Sequence, residues 1–132
     1  MTRLLSRLRR DHGGATIETT LWIPFIFALF GLAFDFTMVF NGQARVLRIL
    51  QEGNRDMSVG IYNETTGRAQ MLANLTAMGV KPSSFTVERV AGEFKTRATV
   101  PIVQFGSLGY FKAFRNTTID VTAEQMVENW ET

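Results

Sequence analysis

Thr19-Thr20-Leu21-Trp22-Ile23-Pro24-Phe25-Ile26-Phe27-Ala28-Leu29-Phe30-Gly31-Leu32-Ala33-Phe34-Asp35-Phe36-Thr37-Met38-Val39-Phe40 decides how the rest of the chain is read. Sixteen of these 22 residues are apolar, and six of the eleven phenylalanines in the 132-residue chain fall here. A helix rises ~1.5 Å per residue, so the run spans about 33 Å, enough for a hydrocarbon core of ~30 Å. Its phenylalanines do not share one face, and apolarity all round is what lipid requires. The run therefore reads as a transmembrane helix, which leaves roughly 90 residues for a water-soluble part, near the lower limit for an independent core.

The charge is distributed to match. Residues 1–13 hold Arg3, Arg7, Arg9 and Arg10 against Asp11, whereas residues 14–132 hold ten basic and eleven acidic side chains. The pI of about 9.4 is thus made by a short basic leader. Positive charge before the apolar run puts the amino terminus in the cytoplasm and the remainder outside it, although Arg45 and Arg48 reduce the asymmetry. A secretory signal peptide would have an apolar stretch of ~7–15 residues and a small-residue cleavage site beyond it; this run is longer and its small residues lie among aromatics.

Several function classes drop out. There is no cysteine, and His12 is the single histidine. Thiolate metal sites, cysteine nucleophiles, multi-histidine metal centres and a Ser-His-Asp triad are excluded on those counts. A nucleic-acid binder needs a basic surface on its folded part, which the near-neutral remainder lacks. Asp120, Glu124 and Glu128 lie close in sequence, but no phosphate loop or metal-ligand spacing accompanies them, and they read as a solvated face. The expectation is a non-enzyme with no cofactor, no metal and no small-molecule substrate.

Three residues are out of place in a plain anchor. Glu18 stands at the start of the apolar run and Asp35 within its second half, and an acid in the bilayer costs ~2.5 kcal/mol or more. Either acid can reach an interface, and Glu18 also suits a helix amino terminus. Pro24 removes a backbone donor and frees the carbonyl of Thr20, so a kink is expected there.

The stretch Arg9-Arg10-Asp11-His12-Gly13-Gly14-Ala15-Thr16-Ile17-Glu18 places a basic leader and a glycine pair just before the glutamate and the apolar run. It resembles the cleavage region of type IV-like prepilins, in which a peptidase cuts after glycine on the cytoplasmic side. A cut after Gly13 makes Glu18 residue +5, and a cut after Gly14 makes it +4. In pilin-like subunits a glutamate at +5 is thought to pair with the free amino terminus of a neighbour.

The continuation through Thr19-Thr20-Leu21-Trp22-Ile23-Pro24, Gly31 and Asp35-Phe36 is similar to the TadE-like family, the pseudopilins of the tight-adherence (Tad/Flp) pilus. The match covers about residues 9–45. It departs from the family pattern at Thr19, where phenylalanine is commoner, and at Thr20, where alanine is usual. The resemblance implies a minor pilin of the bacterial inner membrane, serving pilus biogenesis, adhesion and biofilm formation. Its partners would be a prepilin peptidase, the Flp major pilin, other TadE/TadF-like pseudopilins, inner-membrane platform proteins and the lipid bilayer. An uncleaved signal-anchored protein with a periplasmic partner-binding or scaffolding domain shares this topology and assigns Gly13, Gly14 and Glu18 no role.

The organisation expected is a cytoplasmic leader over residues 1–13, a transmembrane helix over 14–40 and a periplasmic domain over 41–132. After Phe40 a helical period continues through Ala44, Leu47, Leu50 and Met57, with Gly42, Gly53 and Gly60 as bend or stop points. Asn63 can cap a second helix over 64–78, striped by Met71, Leu72, Leu75 and Met78 and ended by Gly79. Strands follow at 85–90, at 94–102 after an Ala91-Gly92 turn, and at about 117–127. Phe105–Phe114 forms an apolar loop between the last two, read either as extra core or as a contact surface. The fold class is α+β: a long amino-terminal transmembrane and stalk helix, a second helix and a small antiparallel sheet of about three strands, a pilin-like arrangement.

Overall fold

The computed structural model describes residues 12–106, 108–110, 112 and 116–127. The arginine-rich leader through Asp11, together with Phe111, Phe114 and Glu128, lies outside the described residues. The first helix, α1, runs His12–Ser58 over 47 residues. It is followed by α2 (Glu64–Ala77), β1 (Ser84–Val90), β2 (Glu93–Pro101), one 3-10 turn (Ile102–Gln104) and β3 (Thr118–Met126). The class is α+β, as the sequence predicts. Contacts divide the chain into two units, Met1–Phe34 and Asp35–Thr132.

In the first unit α1 is exposed on every side. Ile17, Leu21, Trp22, Phe25, Phe27 and Phe30 are all open, and the rings of Trp22 and Phe25 meet edge to face at 5.4 Å. This is a helix long and apolar enough to cross a membrane. It passes through Pro24 without a break in helical structure. The hydroxyl of Thr20 donates to the carbonyl of Thr16 at 2.8 Å, a back-bond that itself favours bending.

In the second unit the strands form an antiparallel meander in the order β1-β2-β3. Val90 pairs with Glu93, so the hairpin turns on Ala91 and Gly92 alone. Both have positive φ, 52° and 84°, the mirror-image turn that matches strand twist and that glycine relieves at its second position. Period-two alternation puts Phe85 and Val87, then Phe94, Thr96, Ala98 and Val100, then Val121 and Ala123 on the buried face. Ile102 does not extend that row. Pro101 cannot donate to the ladder, and Ile102 turns away with its N–H on the carbonyl of Thr117.

Asn63 caps α2 by accepting from Thr66 N–H at 2.8 Å, and Gly79, with φ of 78°, closes the helix. Met71 and Leu75 are buried, Leu72 packs partly on the core, and Met78 is exposed.

The buried face of α1 shares Leu50 and Met57 with the expected stripe and differs elsewhere. Val46, Leu50, Asn54 and Met57 are buried, Leu47 is half-buried and Ala44 is exposed. Two glycines expected as bends are recesses within a continuous helix. Gly53 receives the side chain of Met71, and one turn nearer the connection Met57 packs over Gly67, so α1 and α2 form an antiparallel hairpin that interlocks by size. Gly42 likewise receives the ring of Phe105.

A methyl at position 42 would overlap that ring. Gly42→Ala is expected to gain up to ~1 kcal/mol of helix propensity and to lose ~1–3 kcal/mol to overpacking. The net effect expected is a lower unfolding temperature, restored when Phe105→Leu opens the space. Thermal unfolding of the detergent-solubilised chain reads this; an unchanged or raised midpoint in the single variant would contradict it.

Asn54 joins the layers. Fully buried, it donates through Nδ2 to the carbonyls of Ala123 (2.9 Å) and Phe94 (3.4 Å), and its Oδ1 accepts from the buried hydroxyl of Thr96. One amide thus ties α1 to both β2 and β3, and every buried side-chain polar atom among the described residues has a partner.

Candidate functional site

The residues singled out in the sequence lie on α1 and receive different treatment from the fold. Gly14 falls in the first turn, where N–H groups lack intrahelical acceptors and the helix opens at least cost. It is exposed, and a Cβ built there meets nothing within 4 Å. Gly42, Gly53 and Gly67 are explained by the side chains that fill them, and Gly60, Gly79, Gly92 and Gly109 by positive φ. No such local reason attaches to Gly14. Paired with Gly13, it costs helix stability of ~1 kcal/mol per residue.

Glu18 is exposed on the apolar helix one turn further on. It makes no ion pair or side-chain hydrogen bond with the described residues. Facing lipid in that state, a carboxylate requires either the headgroup layer or a cation from beyond the described residues.

Asp35 is the opposite case. It is fully buried in the second unit, where Oδ1 accepts from Leu108 N–H at 2.8 Å and Oδ2 from Tyr110 N–H at 3.0 Å. Charge-assisted bonds to two backbone donors satisfy an acid that water does not reach. The same pair satisfies two loop N–H groups that have no strand to join. The acid lies beneath a loop rather than on an open face of the helix. Hydropathy sets the domain boundary after Phe40, whereas contacts set it before Asp35, because Asp35 and Val39 are already packed against the head.

The loop divides its apolar residues. Phe105 packs partly on the core and into Gly42, while Leu108 and Tyr110 are 58% and 43% exposed. Gln104 holds the near end by donating to Lys81 O at 2.8 Å and accepting from Lys81 N–H at 2.7 Å. Beside it lies a cleft of about 280 Å³ bordered by Met38, Asn41, Arg45, Met78, Gln104 and Phe105.

The outer sheet face carries two of the three clustered acids, Asp120 and Glu124. Asp120 accepts from Thr99 at 2.7 Å and Glu124 pairs with Lys95, both partly solvated cross-strand contacts. No group of three potential metal ligands occurs among the described residues.

Sequence reasoning found both acids of α1 but not what Asp35 holds. The donors are main-chain groups 73 and 75 positions away, and a backbone N–H has no signature in the sequence. The nearest hint was the pair Gly106 and Gly109 within an apolar loop. No protein-family model, curated protein or solved structure matches the chain.

Proposed function

We propose that this chain is a TadE-like minor pilin of a tight-adherence pilus, cut by a prepilin peptidase at Gly13–Gly14 and joined to its neighbours through Glu18. The observation that carries this reading is the contrast between the two acids. Asp35 is satisfied inside the chain, whereas Glu18 is exposed on an apolar helix with no side-chain partner among the described residues. A new ammonium at a neighbour's amino terminus would supply the missing cation. Gly14, exposed and in an easily opened first turn, gives a peptidase an extended strand of small residues at little cost.

In this reading α1 spans the bacterial inner membrane with the leader in the cytoplasm and the α+β head in the periplasm. The exposed apolar surface of α1 packs against the Flp major pilin, other TadE/TadF-like pseudopilins and platform proteins during assembly. Adhesion and biofilm formation follow from the filament. The protein acts by packing and pairing rather than by chemistry on a substrate.

The mature amino terminus tests this directly. Intact mass and terminal sequencing of the membrane-extracted chain are expected to show a start at Gly14 when the peptidase is active. The full leader should be retained when the peptidase is absent. A chain that keeps residues 1–13 beside an active peptidase would sink the cleavage step, and the signal-anchored scaffold would replace it.

A further inference from the structure

Resting on the membrane-spanning reading of α1, we infer that the loop clamped by Asp35 is a membrane-embedded foot of the head, with Leu108 and Tyr110 seated in the lipid interface. The depth follows from α1 itself. Asp35 lies five residues before Phe40, the end of the apolar run, so it stands ~7.5 Å inside that end. Helix side chains lean toward the amino terminus, so the Asp35 carboxylate reaches still deeper. The N–H groups of Leu108 and Tyr110, at 2.8 and 3.0 Å from it, are carried to the same level. Interfacial segments typically sit ~5–10 Å into the headgroup and acyl boundary.

The chemistry on either side fits that level. Phe36, Met38 and Phe40 are exposed around the same turns of α1, and Leu108 and Tyr110 are exposed apolar residues of the loop. Tyrosine, with an apolar body and a polar tip, is enriched at membrane interfaces. Arg45, five residues beyond Phe40, is exposed and makes no ion pair with the described residues, which puts a free guanidinium at the level of the lipid phosphates.

The clamp suits a site where water is scarce. In a membrane, non-helical backbone is tolerated where protein satisfies its donors, and a fully buried carboxylate accepting two of them does so.

The absence of cysteine makes single-site labelling clean. The full chain would be reconstituted in phosphatidylethanolamine–phosphatidylglycerol vesicles with a nitroxide at Leu108→Cys, at Phe27→Cys within the span, or at Thr65→Cys on the exposed first turn of α2. Accessibility to oxygen is then compared with accessibility to a water-soluble nickel chelate. The oxygen-to-nickel ratio at 108 is expected several-fold above that at 65 and below that at 27. Adding Asp35→Ala is expected to drop the ratio at 108 to that at 65, with 27 and 65 unchanged.

A ratio at 108 equal to that at 65, beside an embedded 27, overturns the foot and leaves the spanning helix standing. That outcome would turn the loop toward a protein partner. An aqueous reading at 27 overturns the spanning helix and the foot with it. A ratio at 108 that ignores Asp35→Ala overturns the clamp.

Discussion

Asn54→Ala is expected to be the most damaging single change in the head, lowering stability by about 2–4 kcal/mol. The substitution leaves the buried Thr96 hydroxyl without its acceptor, removes two donors from the carbonyls of Phe94 and Ala123, and opens a small void between α1 and the sheet. An orphaned buried polar group costs ~1–3 kcal/mol, and the lost packing adds to it. In a domain of this size each 1 kcal/mol moves the unfolding midpoint by ~4–8 °C, so a fall of about 8–32 °C is expected in detergent. Asn54→Leu keeps the branched outline and fills the void with a larger side chain but still strands Thr96, and it should recover only part of the loss. Asn54→Leu with Thr96→Val removes both partners and should approach the parent, because paired apolar replacement can be nearly neutral. If the double variant were no better than Asn54→Leu alone, the amide–hydroxyl contact would not be what joins the layers.

That network also marks where sequence reasoning stops. Strands β1 to β3 and helix α2 were legible because their signals are local: alternation in Phe94-Lys95-Thr96-Arg97-Ala98, the Ala91-Gly92 turn, the Asn63 cap and the Gly79 stop. The buried face of α1 was legible only in part. An apolar-only count passes over Asn54, because burying an amide requires carbonyls and a hydroxyl 40 to 69 positions away. With Asn54 omitted, the stripe slides to Ala44 and Leu47. Gly42 and Gly53 read locally as helix weaknesses, yet their use is to admit Phe105 and Met71, which the chain supplies much later.

The candidate site divides along the same line. Glu18 and the glycine pair were visible because a leader, a small-residue pair and an acid before an apolar run are contiguous. The role of Asp35 was invisible because its partners are main-chain donors from a distant loop. Both acids are anomalies against the hydropathy of α1. The fold accounts for one of them, and that is why the other points outward.

Glu18→Gln is expected to abolish filament assembly while leaving insertion and cleavage intact. Gln keeps the shape and removes the charge, so the helix becomes easier to hold in lipid rather than harder. What it loses is attraction for a neighbour's ammonium, and leaving one member of a desolvated pair unmatched costs ~3–5 kcal/mol. At ~1.4 kcal/mol per factor of ten, each such contact weakens by about two to four orders of magnitude. Filament counts per cell, with crosslinking of the chain to pilus subunits, should therefore fall to background even though the processed protein is present at parental levels. The proposed partner charge exists only after cleavage, so a Gly13 variant that blocks the peptidase should give the same defect. Combining it with Glu18→Gln should add nothing, the signature of two changes that remove one interaction. Asp35→Asn supplies the contrast: it strands one loop donor and should disturb the head without touching the amino-terminal pairing. Parental filament numbers from a correctly processed Glu18→Gln chain would remove the pairing from the mechanism, and with it the chief reason for reading this helix as a pilin's.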